Sequence, residues 1–386
     1  PTTPPPNLNP GIDLFATPAW FQYQAGLDPY FVTFNGTVEH RFGRSTSLTV
    51  SYVGTNGVGL YDDLLNYNQA LPKYNVLGNA LSLPAGSAAG LAALASVGKS
   101  LPWPAFPADE SVHQALLPWP QYTGFDIVER GSTAGHSTYN ALNVSLSHPF
   151  SHGLWAQLSY TYSKMLDNTG GVVSYATGNG FPGPENQYDL AAEKAVDNED
   201  VPQHLVLSYI YNFPVGRGRE FLGHAKGITN AVLGDWRISG VQTYQSGWPL
   251  PSVGGDELSG VYTGSRANAS NVLPLVNPAW NGDPSVPYLN RAAFSSPPNY
   301  TLGDSPRLYS YLRDPGLLDE DFSLAKDFPL PGPEGRRITF SANVFNAFNR
   351  VQFGGVDEGI TDPNFGQVTS QANSPREFQF MLRLQW

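Results

Sequence analysis

The last nine residues, Phe378 to Trp386, alternate without a break. Phe378, Phe380, Leu382, Leu384 and Trp386 share one parity; Gln379, Met381, Arg383 and Gln385 share the other. A period of two is that of an extended strand with one apolar and one mostly polar face. The sequence holds no run of eighteen apolar residues, so no helix in it is apolar and long enough to cross a bilayer. Strands are the elements to look for.

Eight more segments of this kind precede the last: Phe31 to Arg41, Ser47 to Val53, Tyr139 to Ser147, Leu154 to Tyr162, Leu205 to Tyr211, Trp236 to Tyr244, Phe322 to Phe328 and Ile338 to Asn346. Their connections alternate between short turns, such as Phe42-Gly43-Arg44, and long loops rich in Pro, Gly and Asn. Strands entering the short turns end in an aromatic: Phe42, Phe150, Phe213, Phe328 and finally Trp386. Strands running the other way carry Tyr52, Tyr160, Tyr162, Tyr244 and Phe348 near their far ends. Good strand-forming propensity explains aromatics in strands but not their position at strand ends. Two aromatic belts, short turns on one side and long loops on the other are features of bacterial outer-membrane barrels.

The expected fold is therefore all-β, an antiparallel up-and-down transmembrane β-barrel with about nine or ten strands in view. Residues 1–386 are read as one barrel domain, with extracellular loops near 55–135, 165–202 and 248–318. Counting back from Trp386 as periplasmic, the first strand runs downwards. An odd count implies the last part of a larger barrel, since complete single-chain bacterial barrels have an even number. This parity holds only if Phe125 to Arg130 is not a membrane strand of its own. Ala88 to Val97 reads as a short loop helix, and Pro1 to Pro6 has no signal-peptide pattern.

Composition excludes several functions. A net charge of −11 argues against nucleic acid as a partner, and the lack of Cys rules out disulfides, thiolate metal sites and a Cys nucleophile. Charged residues are only 14% and aromatics 13%, too apolar a balance for disorder. Asp197-Asn198-Glu199-Asp200 and Asp319-Glu320-Asp321 offer oxygen ligands without EF-hand spacing, so solvated loop faces are the better reading. The His residues form no nucleophile motif, and the Gly216-Arg217-Gly218-Arg219 run lacks a P-loop ending. No metal, cofactor or enzymatic activity is expected.

Ser51-Tyr52-Val53-Gly54, Asn68-Gln69, Pro118-Trp119-Pro120-Gln121-Tyr122, Ser137 to Leu142 (STYNAL), Ser159 to Lys164 (SYTYSK), Phe213 to Gly218 (FPVGRG), Trp236 to Gly240 (WRISG), Tyr244-Gln245-Ser246-Gly247 and Phe345 to Asn349 (FNAFN) follow one another along nearly the whole chain. In this order they resemble TonB-dependent outer-membrane receptors of the Oar-like, carboxypeptidase-regulatory-like type. The resemblance implies the carboxy-terminal portion of a barrel of about 22 strands, with plug and regulatory domains lying before it. It also implies four partners: outer-membrane lipid, the barrel-assembly machinery through the terminal strand, the TonB complex through the plug, and an extracellular ligand of unknown identity.

On this reading Leu142, Val144, Leu146, Leu158, Phe380, Leu382 and Leu384 face lipid. Phe42, Tyr52, Phe150, Tyr160, Tyr162, Phe213, Phe328 and Trp386 form the belts. Thr33, Asn35, Glu39, Asn143, Gln157, Gln379 and Arg383 face the lumen. Trp103, Trp119, Trp248 and Trp280, several beside Pro, are candidate ligand contacts in the loops; proline-braced loop packing is the alternative. The implied function is uptake or passage of a large solute. A surface-adhesion barrel and a secreted carbohydrate-binding β protein are the other readings.

Overall fold

The computed structural model describes residues 19–21, 28–43, 45–62, 65–122, 127–129, 132–169, 184–253, 266–332 and 335–386. Nine strands form one continuous antiparallel path: β1 (Tyr30–Phe42), β2 (Thr46–Asp62), β3 (Ser132–Ser151), β4 (Leu154–Asp167), β5 (Gln203–Asn212), β6 (Trp236–Gln245), β7 (Leu317–Pro329), β8 (Arg337–Phe345) and β9 (Glu377–Gln385). Each pairs with its neighbours in sequence order, the up-and-down arrangement that alternation and turn spacing predict. The two-residue strand Ala195–Val196 adds to the end of β4. β1 and β9 are the two edges, and the sheet is not closed among the described residues. All nine expected strands are present.

Local chemistry explains the turns. Gly43 has φ +62 between β1 and β2. Gly153, with φ +86, also lies where an added Cβ would meet the Asn212 carbonyl oxygen at 2.7 Å. Only glycine satisfies both the left-handed conformation and that approach. Asn346, with φ +47, ends β8 one residue before the predicted boundary, its backbone N–H donating to Asp321 Oδ1 at 2.8 Å. Pro149 lies inside β3, not in the turn, at a bulge between His148 and Ser151 that absorbs its missing N–H.

The strands are longer than the sequence pattern indicates. β3 has 20 residues, whereas a tilted barrel strand needs only about 9–11 to cross the apolar layer. β2 continues to Asp62 and β4 to Asp167, so the loops begin beyond the positions near 55 and 165 where alternation fades. In the extensions polar residues interrupt the otherwise apolar face (Asn56, Thr138, Lys164), which is why period-two reading missed them. The segment Phe125 to Arg130 is a separate matter. Its described part, Ile127–Glu129, pairs with Ala19–Phe21 and Leu65–Asn66 in a small sheet apart from the main one, so it is not a tenth strand of the path.

Long connections at the end of the sheet opposite Trp386 build a crown with hydrophobic cores of its own. One core gathers Tyr74, Leu81, Leu94, Phe106, Val112 and Leu116 around two short helices, α1 (Ala88–Ser96) and α2 (Val112–Leu116). Ser87 and Ser111 cap them, accepting from Gly90 N at 2.9 Å and Gln114 N at 3.0 Å. α1 is the loop helix expected at Ala88 to Val97. The other core joins Leu250, Leu289, Phe294, Tyr309 and Leu312 to Ile360 and Phe365 of the 346–376 connection.

Candidate functional site

Register carries side-chain facing from strand to strand, so one face can be followed across the sheet. Asn143 pairs with Ser51 and Thr161, and Ser51 with Thr37. Gln157 pairs with Ser147 and Ser208; Asn343 pairs with Ser323 and Gln379; Thr339 pairs with Asp327 and Arg383. Thr33, Asn35, Glu39, Asn143, Gln157, Gln379 and Arg383 all lie on this single polar face. Hydroxyls, amides and a carboxylate of this face hydrogen-bond across strands. Thr37 donates to Ser51 at 3.0 Å, Thr161 to Asn143 at 2.9 Å, Ser323 to Asn343 at 2.7 Å and Thr339 to Asp327 at 2.6 Å.

The opposite face carries Tyr52, Leu142, Val144, Leu146, Leu158, Tyr160, Tyr162, Phe328, Phe380, Leu382 and Leu384, with Phe42 at the end of β1. Phe213 and Trp386 continue its parity just past their strands, Phe213 edge-on to Tyr211. Phe150 lies in the β3 bulge, where parity does not fix its side. Apolar side chains stand exposed on this face, and the polar face buries some of its hydroxyls. On interior strands Leu142 is 40% exposed and Tyr162 55%, while Ser341 is 4% exposed and Ser163 7%.

The apolar face stops towards the crown. Gln242 and Glu320, paired in register, are buried there. Arg350, from the 346–376 connection, donates to both Glu320 carboxylate oxygens at 3.0 and 3.1 Å. Strand alternation turns Glu320 away from Asp319 and Asp321, so that acidic trio cannot converge on one ion. In the other acidic run, Asp200 binds Arg313 at 2.5 Å and accepts from Met165 N at 2.6 Å.

Where the polar face meets the crown there is a cleft of about 280 Å³. Tyr139, Thr161, Ser163, Met165, His204 and Gln245 rise from the sheet; Glu199, Asp200, Val201 and Trp248 close it from the loops. Ser163 donates to the Val201 carbonyl at 2.9 Å, fixing the loop wall to β4. Trp248 is exposed beside the cleft. The other three candidate Trp residues do not join it. Trp103 packs edge-on against Phe106 and Trp280 against Tyr288 and Phe353, the loop-packing alternative. Trp119 is exposed, its backbone N–H bonded to Asn68 Oδ1 at 2.9 Å. Sequence reading singled out Trp248 but not His204, Gln245, Met165 or Tyr139. Their shared facing could have been found by extending strand parity outward; their convergence with residues 199–201 could not.

Buried ion pairs hold the loops in place. Arg266 pairs with Glu193, Arg307 with Asp167 and Arg313 with Asp200. Arg266 N also donates to Glu185 at 3.1 Å; burial pushes that carboxyl up and the Arg266 charge pulls it back. Near the other core, burial and then the neighbouring Asp314 and Asp357 charges push Glu358 up to about 8. In the core around α2, burial alone lowers His113 to about 4.

A family model described as an outer membrane beta barrel domain matches residues 1–379. The chain belongs to that family. The barrel face just described is thus the face of an outer-membrane protein. Among curated proteins none matches the chain by sequence. Solved structures similar to this barrel chain include the Escherichia coli outer membrane transporter YddB, at 10% identity and TM-score 0.43 over 94% of this chain and 34% of that one. The ferric citrate transporter FecA, in its unliganded form, is 12% identical with TM-score 0.36, over 91% and 30%. FpvA of P. aeruginosa, bound to heterologous pyoverdines, is 10% identical with TM-score 0.36, over 91% and 26%. The chain spans about a third of the length of these structures or less.

Proposed function

We propose that this barrel chain is the carboxy-terminal portion of a TonB-dependent, Oar-like receptor that passes a large solute across the outer membrane without catalysing a reaction. The observation that carries the reading is the two-faced sheet: nine antiparallel strands with a hydrogen-bonded polar face and an apolar face whose large side chains stand exposed. Water and solute belong on the first, lipid on the second. Thr33, Asn35, Glu39, Asn143, Gln157, Gln379 and Arg383 then line the passage or contact a plug. β1 and β9 run in the same direction, so antiparallel closure takes an odd number of further strands, which fits a part of a larger barrel. The crown lies outside the cell, and the cleft at Trp248 and His204 is where an incoming ligand first meets the lumenal wall. The terminal strand would engage the barrel-assembly machinery, and energy would come from the TonB complex through a plug.

Sidedness and coupling can be tested together. The chain has no native Cys, so single cysteines report cleanly. Val272→Cys in the crown should react with an impermeant maleimide on intact cells, and Lys226→Cys at the opposite end only after permeabilisation. Deleting the inner-membrane coupling complex should abolish solute accumulation while leaving Val272→Cys labelling intact. The crown's packed cores also suit a surface-adhesion barrel, for which the coupling complex would make no difference.

A further inference from the structure

The connection between β5 and β6 differs from the other turns at its end of the sheet, because it carries a helix, α3 (Gly227–Leu233). At about 100° per residue, Val232 falls about 40° from Ile228, and Asn230 about 160° from each. Asn230 is the side chain that faces the protein. Its Oδ1 accepts from Arg217 N at 2.6 Å, and a Cβ at Gly216 or Gly234 would come within 3.1 or 2.7 Å of that oxygen. The apolar edge points the other way, with Ile228 83% and Val232 56% exposed. Leu233, Phe221 and Leu222 are exposed beside it. A helix docked through its amide and displaying its aliphatic side chains is amphipathic in the wrong sense for water.

The helix is continuous with the apolar face of the sheet. The Val232 carbonyl accepts from the Trp236 indole N–H at 2.8 Å, and Trp236 opens β6 on that face. Lys326 lies in the same row; its ammonium reaches out of the apolar band to the Gly234 carbonyl and sits over the rings of Trp236 and Phe328. A buried stem with its charge led towards the edge is how a cation is accommodated at a membrane boundary. Residues 213–235 also hold three Lys or Arg (Arg217, Arg219, Lys226) against two acids (Glu220, Asp235), plus His224, in a chain of net charge −11. Locally basic polar residues with aliphatic side chains between them match a phosphate headgroup layer above acyl chains.

We infer that α3 is an interfacial helix, seated in the glycerophospholipid monolayer at the Trp386 end of the barrel with Ile228, Val232 and Leu233 among the acyl chains. This rests on the reading of the apolar face as lipid-facing. The test is spin-label accessibility in outer membranes isolated from cells making the chain, with single labels at Ile228→Cys, Val232→Cys, Leu158→Cys and Val272→Cys. Oxygen and a neutral nickel chelate are the two probes. The α3 labels should match Leu158→Cys, open to oxygen and several-fold less open to chelate than Val272→Cys. If Leu158→Cys behaves as lipid-exposed while both α3 labels meet chelate as Val272→Cys does, the helix lies in water and the inference falls. Shielding of the α3 labels from both probes would mean that a protein covers the helix, which also overturns it. If Leu158→Cys itself is open to chelate, the barrel reading fails, and this inference with it.

Discussion

The sheet and the crown are built from the same chain with opposite rules. In the crown Leu81, Leu94, Leu289 and Tyr309 are buried, and the helices are capped as in any soluble domain. In the sheet, Ser, Thr and Asn hydrogen-bond across strands on one face, while Leu142, Leu146 and Tyr162 stand exposed on the other. The hydrophobic effect drives both arrangements. On the proposed reading what differs is the solvent: water around the crown, hydrocarbon against the sheet. The same substitution should therefore have different consequences in the two regions.

The largest effect is expected where crown and sheet are fastened. Arg307→Ala leaves Asp167 buried without its partner and should cost about 3–5 kcal/mol, loosening the crown. Limited proteolysis of the loops with the strands intact would show it; unchanged protease resistance would argue against the ion pair as a fastener. Val144→Arg should disfavour membrane assembly by about 2–4 kcal/mol, whereas Asn143→Arg, one residue along on the polar face, should be tolerated. Folding yield in lipid vesicles separates the two, and equal yields would dissolve the distinction between faces. Ser111→Ala removes the cap of α2 and should cost about 1 kcal/mol, read as faster hydrogen exchange at Gln114 and its neighbours.

A subtler contrast lies within the crown. Glu358 has its pKa raised by burial, then by Asp314 and Asp357, to about 8. Its contribution to stability is fully present below the ordinary carboxylate range and is lost as pH rises through about 8. His113 has its pKa lowered by burial to about 4. Its contribution is present above the ordinary imidazole value and is lost as pH falls through about 4. Alkali should thus loosen the lobe around Phe365, and acid the lobe around α2. Glu358→Gln should flatten the alkaline limb alone, as monitored by pH-corrected hydrogen exchange.

The fold was legible because a strand between lipid and water has to alternate. That constraint puts Leu142, Val144 and Leu146 on one face and Asn143 and Ser145 on the other through the order of residues alone. It lapses where Asn56, Thr138 and Lys164 interrupt the apolar face, so the ends of β2, β3 and β4 beyond them carried no signal. The cleft was less legible. Trp248 was visible as a loop aromatic, but its meeting with His204 and Asp200 depends on Arg313 and Ser163 fixing a loop, which no local pattern encodes. Trp103 and Trp280 show the converse, since an aromatic beside Pro looks alike in sequence whether it awaits a ligand or fills a core.

The central claim is that neighbouring residues of one strand face different solvents. Fluorophores placed singly at Asn143→Cys and Val144→Cys, in vesicles containing a lipid-borne quencher, test it with a separation of one residue. The account predicts strong quenching at Val144→Cys and little at Asn143→Cys. Equal quenching at both sites, or stronger quenching at Asn143→Cys, would contradict it.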